Sequence, residues 1–281
     1  MRIKAVLAAA GLVVGSLIAI PATSTATATD TTPYYLALGD SLSVGYQPGP
    51  VVAGDTNQGY SDDLYATLLA THPGLQLKKL GCSGETTASM INGGVCNDGR
   101  YAPFGSQLAA AVNFVQTHNV TYVTLDIGAN DVDRCTPGGS INAACLVTGI
   151  ATITQNLNTI LSTLKTADGG RPISAGMTYY DPFLQYWLTG TQGQVIATAS
   201  VGLLAAINTA EVAEYTLYGF RTADVFGAFD TLDFLPTLPT LLPANVATIC
   251  RLTWECTPYV NIHANAAGYR VIAGAFARAV S

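Results

Sequence analysis

The chain has 281 residues, of which 49% are hydrophobic and 11% charged, and its formal net charge at pH 7 is −6. An acidic chain of this kind is a poor partner for nucleic acid, because phosphates attract basic surfaces. The length suits one domain with a full hydrophobic core.

The first residues have the pattern of a secretory signal peptide. Arg2 and Lys4 precede an almost wholly apolar run and a small-residue cleavage site at Ala26-Thr27-Ala28. The alternative is a membrane anchor, but the apolar run is short for a span of about 20 residues. The sequence therefore predicts a secreted, extracellular protein with a signal peptide over 1–28 and one mature domain over 29–281. Because the signal holds two of the 12 basic residues and none of the 18 acidic ones, the mature net charge is −8.

Strand-like and helix-like segments alternate along the mature chain. Leu157, Ile160, Leu161 and Leu164 have the i, i+3, i+4, i+7 spacing of a helix face that packs on a sheet. The alternation predicts a parallel sheet with right-handed crossovers and helices on both faces. The predicted strands cover 34–38, 75–80, 122–127, 173–177 and 220–225, and the predicted helices cover 61–70, 105–118, 148–167, 192–218 and 265–280.

The segment 226–258 breaks this alternation. It holds four prolines with leucines between them, which predicts a long loop over the edge of the sheet. The sequence leaves open whether this loop is a packed connector or an apolar rim beside a binding site.

The six cysteines all follow the predicted signal peptide. An even number of cysteines in an exported chain indicates disulfides, and six cysteines allow fifteen pairings. The chain groups them into three close pairs, each of which would close a short loop. Metal binding is the alternative, but the sequence has no C-x-x-C spacing and only three histidines.

Four short segments combine small, polar and glycine residues where a strand ends or a helix begins. Ligands of α/β proteins bind at the carboxyl edge of the sheet. Taken alone, each segment is explained as a turn, a helix cap or a structural histidine. Together they predict that a hydroxyl and an imidazole converge on one edge. The segments are Gly39-Asp40-Ser41-Leu42-Ser43, the stretch 81–86 with Gly84, Gly128-Ala129-Asn130-Asp131, and His263 before the last helix.

With these four blocks in this order, the chain resembles the GDSL or SGNH hydrolases, a family of esterases, lipases and related deacylases. The resemblance covers nearly the whole mature chain. It implies a three-layer α/β/α sandwich that resembles flavodoxin, with a parallel sheet of about five strands. The cysteine pairs also look like those of secreted actinobacterial members. This likeness implies the disulfides Cys82–Cys96, Cys135–Cys145 and Cys250–Cys256.

The resemblance implies a division of labour at the site. Ser41 would attack an ester carbonyl, and His263 would take the proton of the hydroxyl. The oxyanion would be held by the backbone N–H of Ser41, the N–H of Gly84 and the side-chain amide of Asn130. No metal or cofactor is implied.

One position departs from the family pattern. The family usually has an aspartate three residues before the histidine, and here that residue is Val260. We therefore expect a Ser41–His263 dyad in which the main-chain carbonyl of Val260 accepts the Nδ1–H of the histidine. Because a free imidazole titrates near 6.5, activity is expected to fall below about pH 6. The acidic residues left as alternative partners of the histidine are Asp224, Asp230, Asp233 and Glu255.

The leucine- and proline-rich segment 226–258 indicates the substrate class. We expect lipid esters or short-to-medium acyl esters and transient contact with lipid surfaces. The loop 46–59 is expected to shape the acyl pocket, and Tyr179-Tyr180-Asp181-Pro182 either lines the cleft or packs in the core. A monomer is expected. Two alternatives stay open at this point: an acyltransferase or carbohydrate deacetylase with the same site, and a non-catalytic surface binder.

Overall fold

The computed structural model describes residues 31–49, 53–136 and 140–281. The signal peptide predicted over 1–28 lies outside the described residues, and its boundary stays a prediction.

The centre of the molecule is a five-stranded, fully parallel sheet in the order β2-β1-β3-β4-β5. In this flavodoxin-like order, β2 lies on one side of β1, and β3, β4 and β5 follow in sequence on the other side of β1. The five strands predicted from the sequence and their parallel arrangement are confirmed. The strands are β1 (Pro33–Gly39), β2 (Gln76–Lys79), β3 (Asn119–Asp126), β4 (Ile173–Met177) and β5 (Arg221–Ala223).

Helices cover both faces of this sheet and complete the three layers. The predicted helices are all present, and short helices that the sequence pattern did not indicate occur between them. A 3-10 helix over Pro182–Thr189 leads from β4 toward α6. The α-helices are α1 (Tyr60–Leu69), α2 (Thr87–Asn92), α3 (Gln107–Thr117), α4 (Ala129–Val132), α5 (Ala143–Asp168), α6 (Thr191–Tyr218), α7 (Val225–Ala228), α8 (Ala244–Leu252) and α9 (Ala266–Val280).

Alternation along β1 divides the core into two layers. Tyr35 and Ala37 belong to the cluster beneath α1, α8 and α9, whereas Leu36 and Leu38 belong to the cluster beneath α3 and α5. All four side chains are fully buried, as expected for a central strand whose residues point alternately to the two faces.

Helix α6 is long and apolar enough to cross a membrane by length and composition alone. In this fold it packs against α5 and the 3-10 helix instead. Buried Asn208 on α6 accepts a hydrogen bond from the Tyr179 N–H and donates one to the Tyr179 carbonyl, which ties the helix to the end of β4. It is a core helix of the sandwich.

The expectation of a long loop over 226–258 is wrong. The segment contains a hairpin of β6 (Pro236–Thr237) and β7 (Leu242–Pro243), then α8, then β8 (Thr253–Trp254), which pairs antiparallel with β9 (Asn261–Ala264). Val246, Ile249 and Leu252 on α8 are buried in the core. The prolines concealed this helix because they bound it rather than interrupt it: Pro243 lies directly before its first residue.

The six cysteines pair as the resemblance implied: Cys82 with Cys96, Cys135 with Cys145, and Cys250 with Cys256. Each bridge closes a loop near the carboxyl edge of the sheet. In the chain-entropy account, loops this short contribute roughly 2–3 kcal/mol each to the free energy of unfolding.

Candidate active site

A tight turn at the end of β1 holds the Ser41 hydroxyl at the edge of the sheet. Gly39 has φ +132°, and a Cβ there would overlap the backbone of Asp126 on the neighbouring strand, so only glycine fits. The Asp40 carboxylate accepts a hydrogen bond from the Leu42 N–H at 3.0 Å, which braces the turn. Ser41 is 8% exposed and lies at a pocket wall.

The structure brings Ser41 and His263 together across 222 positions of sequence. The Ser41 hydroxyl lies 2.8 Å from His263 Nε2 and 3.4 Å from Asp40 Oδ1, so the imidazole is the closer acceptor. His263 lies on β9, outside the central sheet, just before α9. The ring of Tyr46 packs on the imidazole with centroids 4.3 Å apart. The loop that follows β1 therefore contacts His263 through Tyr46, but no described residue of the loop 46–59 lines the pocket, so the expectation that this loop shapes the pocket is wrong.

The partner of the His263 ring is not the one expected. Asn261 Oδ1 lies 2.7 Å from His263 Nδ1 and also accepts the His263 backbone N–H at 3.1 Å. Because a backbone N–H can only donate, the amide atom between these two groups is the oxygen, and Nδ1 carries the hydrogen. That tautomer leaves the lone pair of Nε2 free to accept the Ser41 proton. The expectation that the Val260 carbonyl orients the ring is corrected: Val260 sits in a left-handed turn with φ +43°, and its neighbour's side chain reaches Nδ1 first.

The acidic residues considered as substitutes have other partners. Asp224 accepts a hydrogen bond from the Gly227 N–H, Asp233 accepts one from the Leu235 N–H, and Asp230 accepts one from the Thr248 hydroxyl. Glu255 is buried, and burial raises its pKa to about 7. Among the described residues, the orienting group of His263 is a neutral amide.

Burial lowers the pKa of His263 to about 4, and the charge of Asp55 opposes this only in part. An aspartate beside Nδ1 would favour the imidazolium, whereas the Asn261 amide carries no charge to do so. The imidazole is therefore neutral, and competent as a base, well below the pH of about 6 expected from a free imidazole.

The structure shows which hydrogen bonds the three predicted oxyanion donors already make. The backbone N–H groups of Ser41 and Gly84 have no acceptor among the residues that the structure describes. Gly84 has φ +82°, the left-handed conformation that glycine favours. Asn130 Nδ2 donates to the Glu85 carbonyl at 2.9 Å, and its other contact, 3.5 Å to Asp40 Oδ2, is long. The side chain of Asn130 is thus held against the segment that contains Gly84 and Glu85. One of its two amide hydrogens makes only the long contact to Asp40.

Gln107 on α3 joins these segments, and sequence reasoning missed it. Its side chain accepts the Gly39 N–H at 2.6 Å and donates to the Gly39 carbonyl at 3.0 Å. It also donates to Glu85 Oε2 at 3.1 Å, and Tyr101 donates to the same oxygen at 2.7 Å. Gln107 is fully buried. A glutamine at an ordinary helix start carries no sequence signal for this contact with a glycine 68 positions away.

Two buried carboxyl groups lie beneath the serine turn. Asp126, at the end of β3, accepts hydrogen bonds from the Tyr60 hydroxyl at 2.6 Å and from the Ser43 N–H at 3.2 Å. Burial and the neighbouring Asp40 raise the pKa of Asp126 well above its ordinary value. Asp126 therefore holds its proton to a higher pH than a free aspartate does, and its hydrogen bonds brace the turn.

A pocket of about 120 Å³ opens beside Ser41 and His263. Most of its wall is apolar, and it comes from α4, the segment after β4, the start of the 3-10 helix, the start of α5 and the middle of α6. Within the described ranges, no group of three or more His, Cys, Asp or Glu residues is placed to hold a metal ion. The apolar residues of the wall include Ile141, Leu146, Leu203, Leu204 and Ile207.

The Ser41 hydroxyl is hydrogen-bonded to the unprotonated Nε2 of His263, at the carboxyl edge of the parallel sheet of an α/β/α sandwich. This arrangement is typical of a hydrolase of the α/β class. Residues 37–271 match the sequence model of the GDSL-like lipase/acylhydrolase family. The chain belongs to this family, whose members are carboxylic ester hydrolases.

Solved structures show the same fold. An extracellular lipase from Streptomyces rimosus superposes with a TM-score of 0.55 at 19% identity, over 88% of this chain and 99% of that one. An alpha/beta hydrolase from the metagenome of Lake Arreo, Spain, gives 0.53 at 21% identity, over 89% and 96%. An acetylxylan esterase from Geobacillus stearothermophilus gives 0.53 at 18% identity, over 90% and 95%. No curated protein sequence matches this chain.

Proposed function

We propose that this protein is a secreted esterase or lipase that hydrolyses carboxylic esters through an acyl intermediate on Ser41. The observation that carries the proposal is the 2.8 Å contact between Ser41 Oγ and His263 Nε2 at the wall of an apolar pocket. In the first step, Nε2 takes the hydroxyl proton as Oγ bonds to the ester carbonyl carbon.

The negative charge then lies on the former carbonyl oxygen. The N–H groups of Ser41 and Gly84 and the amide of Asn130 hold this oxygen, and each such donor lowers the barrier by about 2.7–4 kcal/mol. The imidazolium returns its proton to the alcohol oxygen as the carbon–oxygen bond breaks. Water then gives a proton to His263 and attacks the acyl carbon. The acid leaves as that proton returns to Ser41.

Several features support three further parts of the proposal: secretion, an acyl chain as the bound group, and a monomer. Three disulfides and the signal-peptide pattern support secretion, because disulfides persist in oxidising compartments. The apolar pocket supports an acyl chain as the bound group. One chain supplies Ser41, His263, Gly84 and Asn130, which supports a monomer.

A fluorophosphonate probe tests the nucleophile. We expect covalent labelling of the mature wild-type protein and of Ser162→Ala, a serine on α5 outside the pocket, but none of Ser41→Ala. Labelling that persists in Ser41→Ala would reject Ser41 as the nucleophile. An unlabelled wild type would favour the non-catalytic binder.

A panel of esters then tests the substrate class. We expect the kcat/KM of acyl esters to rise from acetate to medium chain length, because the apolar wall gains contact with each added methylene. A preference for acetylated sugars would indicate a carbohydrate deacetylase instead. Ester products with an added alcohol, in place of free acid, would indicate acyl transfer.

The β6–β7 hairpin supports contact with a lipid surface. Leu235, Leu238 and Leu241 are 72%, 86% and 67% exposed on this hairpin, and no charged residue lies between Leu235 and Pro243. Phe234, at its base, packs on Trp187 of the 3-10 helix with ring centroids 5.7 Å apart, and the start of that helix lines the pocket. Three exposed leucines close together in an uncharged segment are typical of a surface that contacts an apolar partner such as a lipid layer.

Substitution of the hairpin tip tests this contact. We expect Leu238→Asp to lower cosedimentation with phosphatidylcholine vesicles at least about fivefold and to leave the kcat/KM for a soluble short-chain ester unchanged. The matched control is Leu217→Asp, at a leucine of α6 that is 66% exposed. Equal vesicle binding by Leu238→Asp and the wild type would remove the hairpin from the proposal.

A further inference from the structure

A polar pair lies among apolar side chains on the wall of the pocket. Asp181 follows β4, directly before the 3-10 helix, and Ser200 lies on α6; both line the pocket. Asp181 is 1% exposed and Ser200 is 5% exposed. Neither residue takes part in the chemistry at Ser41. Their neighbours on the wall include Phe183, Leu203 and Leu204.

The hydrogen bonds of the pair depend on one proton. Asp181 Oδ1 accepts the Phe183 N–H at 3.0 Å, and Asp181 Oδ2 lies 2.8 Å from the Ser200 hydroxyl oxygen. The same hydroxyl lies 2.9 Å from the Ala197 carbonyl oxygen. Ser200 has one hydrogen and therefore cannot donate to both. A protonated Asp181 donates to Ser200, which then donates to Ala197, and every group is satisfied.

An ionised Asp181 changes this arrangement. The carboxylate takes the hydrogen of Ser200 and holds a full charge with two donors, at a wall that an apolar chain would cover. Burying a charge against hydrocarbon is costly unless the charge is paired. The nearby elements bring no cation to it: the 3-10 helix has no charged residue, and the charged residues of α6, Glu211 and Glu214, lie about three turns beyond Ser200.

We propose that Asp181 and Ser200 form a specificity subsite of the acyl pocket, which accepts an unsubstituted alkyl chain while the carboxyl group is protonated and rejects that chain once it ionises. The inference rests on the proposed function, since it assigns the acyl group to this pocket. The substrate class is esters of unbranched, unsubstituted medium-chain acids, and the subsite makes the preference for them depend on pH.

The electrostatics place this change near neutral pH. Burial raises the pKa of Asp181 to about 7, and the hydrogen bonds from Ser200 and Phe183 oppose the shift only in part. The other titratable groups of the pocket wall are Asp40, Asp133 and His263. On α8, which packs on the 3-10 helix, the charged residue is Arg251. A bound chain excludes water from Asp181 and makes ionisation harder still. Chain binding and ionisation therefore oppose one another.

The ratio of kcat/KM for an octanoate ester to that for the acetate ester of the same alcohol measures the effect. Both substrates share His263 and the leaving group, so the ionisation of the base cancels in the ratio. We expect the ratio to be constant from pH 5.5 to 6.5 and to fall about tenfold by pH 8.5. In Asp181→Asn, whose amide keeps the size and the hydrogen bonds, the ratio should stay high throughout. Asp63→Asn, at an acid of α1 that does not line the pocket, is the control and should behave as the wild type.

A ratio independent of pH in the wild type, or the same fall in Asp181→Asn, would overturn the subsite and leave ester hydrolysis intact. An absence of ester hydrolysis would instead count against the proposed function. If no ester is hydrolysed, a binding measurement still tests the subsite, because binding requires no turnover. In the Ser41→Ala protein, the affinity for uncharged 1-octanol should fall about tenfold between pH 6.5 and 8.5. It should stay constant when Asp181→Asn is added. Equal behaviour of the two proteins would reject the subsite.

Discussion

A neutral amide occupies the place where a carboxylate would orient the histidine. Asn261 fixes the tautomer of His263 through a 2.7 Å contact to Nδ1, and its contact to the backbone N–H of His263 fixes the orientation of the amide itself. It therefore positions the base but does not stabilise the imidazolium by charge. The two contributions of a triad carboxylate, orientation and charge, are separated in this site.

The Asn261→Ala and Asn261→Asp variants test this separation. We expect Asn261→Ala to lower kcat about tenfold, the effect of one lost hydrogen bond of about 1.4 kcal/mol, with little change in KM. Asn261→Asp restores the orientation and adds a charge, so it should raise the pKa of His263. The acid limb of the kcat/KM profile, near pH 4 in the wild type, should then move upward by at least one unit.

The profile is measured from pH 3.5 to 8 with a soluble ester, and Val260→Ala is the matched control at the neighbouring position. An unchanged kcat in Asn261→Ala, which leaves the main-chain carbonyl of Val260 in place, would restore that carbonyl as the orienting group. The partner of Nδ1 could not be predicted from the sequence. It depends on the left-handed turn at Val260, and no pattern of residue types indicates that turn.

At the scale of elements, α3 holds the turn that carries Ser41. Gln107 makes two hydrogen bonds to the Gly39 backbone and a third to Glu85, whose carbonyl accepts from Asn130. One side chain thus links the serine turn to the segment that holds Asn130, one of the proposed oxyanion donors. A small displacement of such donors is expected to affect the transition state more than substrate binding.

We therefore expect Gln107→Leu to lower kcat at least about tenfold while KM changes less than about twofold. Gln155→Leu, at an exposed position of α5, controls for the loss of a glutamine. Far-UV circular dichroism checks that the fold is retained. If KM rises in proportion as kcat falls, or if kcat is unchanged, Gln107 does not position the site.

The three disulfides lie on the loops of the site. Cys82 is two residues before Gly84, and Cys135 is joined to Cys145 beside the pocket residues Thr136 and Leu146. Cys250–Cys256 brackets β8, which pairs with the strand that carries His263. The sheet itself contains no disulfide among its described strands, so its stability depends on packing.

Reduction should therefore damage the site before it damages the sheet. With increasing dithiothreitol at 25 °C, we expect hydrolysis of a soluble ester to be lost while far-UV circular dichroism stays within about 10% of its starting value. A Cys250→Ser/Cys256→Ser double variant should show the same separation without reductant. If activity and helical signal are lost together, the bridges stabilise the whole fold instead.

At the scale of the whole molecule, the sequence could predict what depends on periodicity and strand ends. The order of apolar runs and helix faces predicted the five-stranded parallel sheet. Glycine-containing turns at the ends of β1, β2 and β3 indicated Ser41, Gly84 and Asn130 as candidate site residues. Contacts that depend on distant side chains, such as Gln107 with Gly39, could not be predicted. Neither could α8, because prolines mark both loops and helix starts.

The molecule buries more acidic groups than it pairs with cations, and this determines how its stability depends on pH. Burial raises the pKa values of Asp181 and Glu255 to about 7 and those of Asp126 and Glu211 well above their ordinary values. The folded state therefore holds protons that the unfolded chain has released, and stability falls as pH rises through these values. His263, with a lowered pKa, has the opposite effect only below about pH 6.5.

Between pH 6.5 and 8.5 the acids act alone, and the Tm of the wild type should fall with pH. Each buried acid that stays protonated in the folded state lowers the free energy of unfolding by about 1.4 kcal/mol for each unit by which the pH rises. This corresponds to a fall in Tm of about 3–5 °C per pH unit. Glu211 is fully buried, and neither of its oxygens has a hydrogen-bond partner in the described part of the chain. Glu211→Gln should therefore flatten the dependence of Tm on pH, whatever its effect on the absolute Tm, while the exposed Asp133→Asn should not. A Tm that is constant over this range would mean that these carboxyl groups are ionised in the folded protein, and that the fold tolerates their charge without a cation beside them.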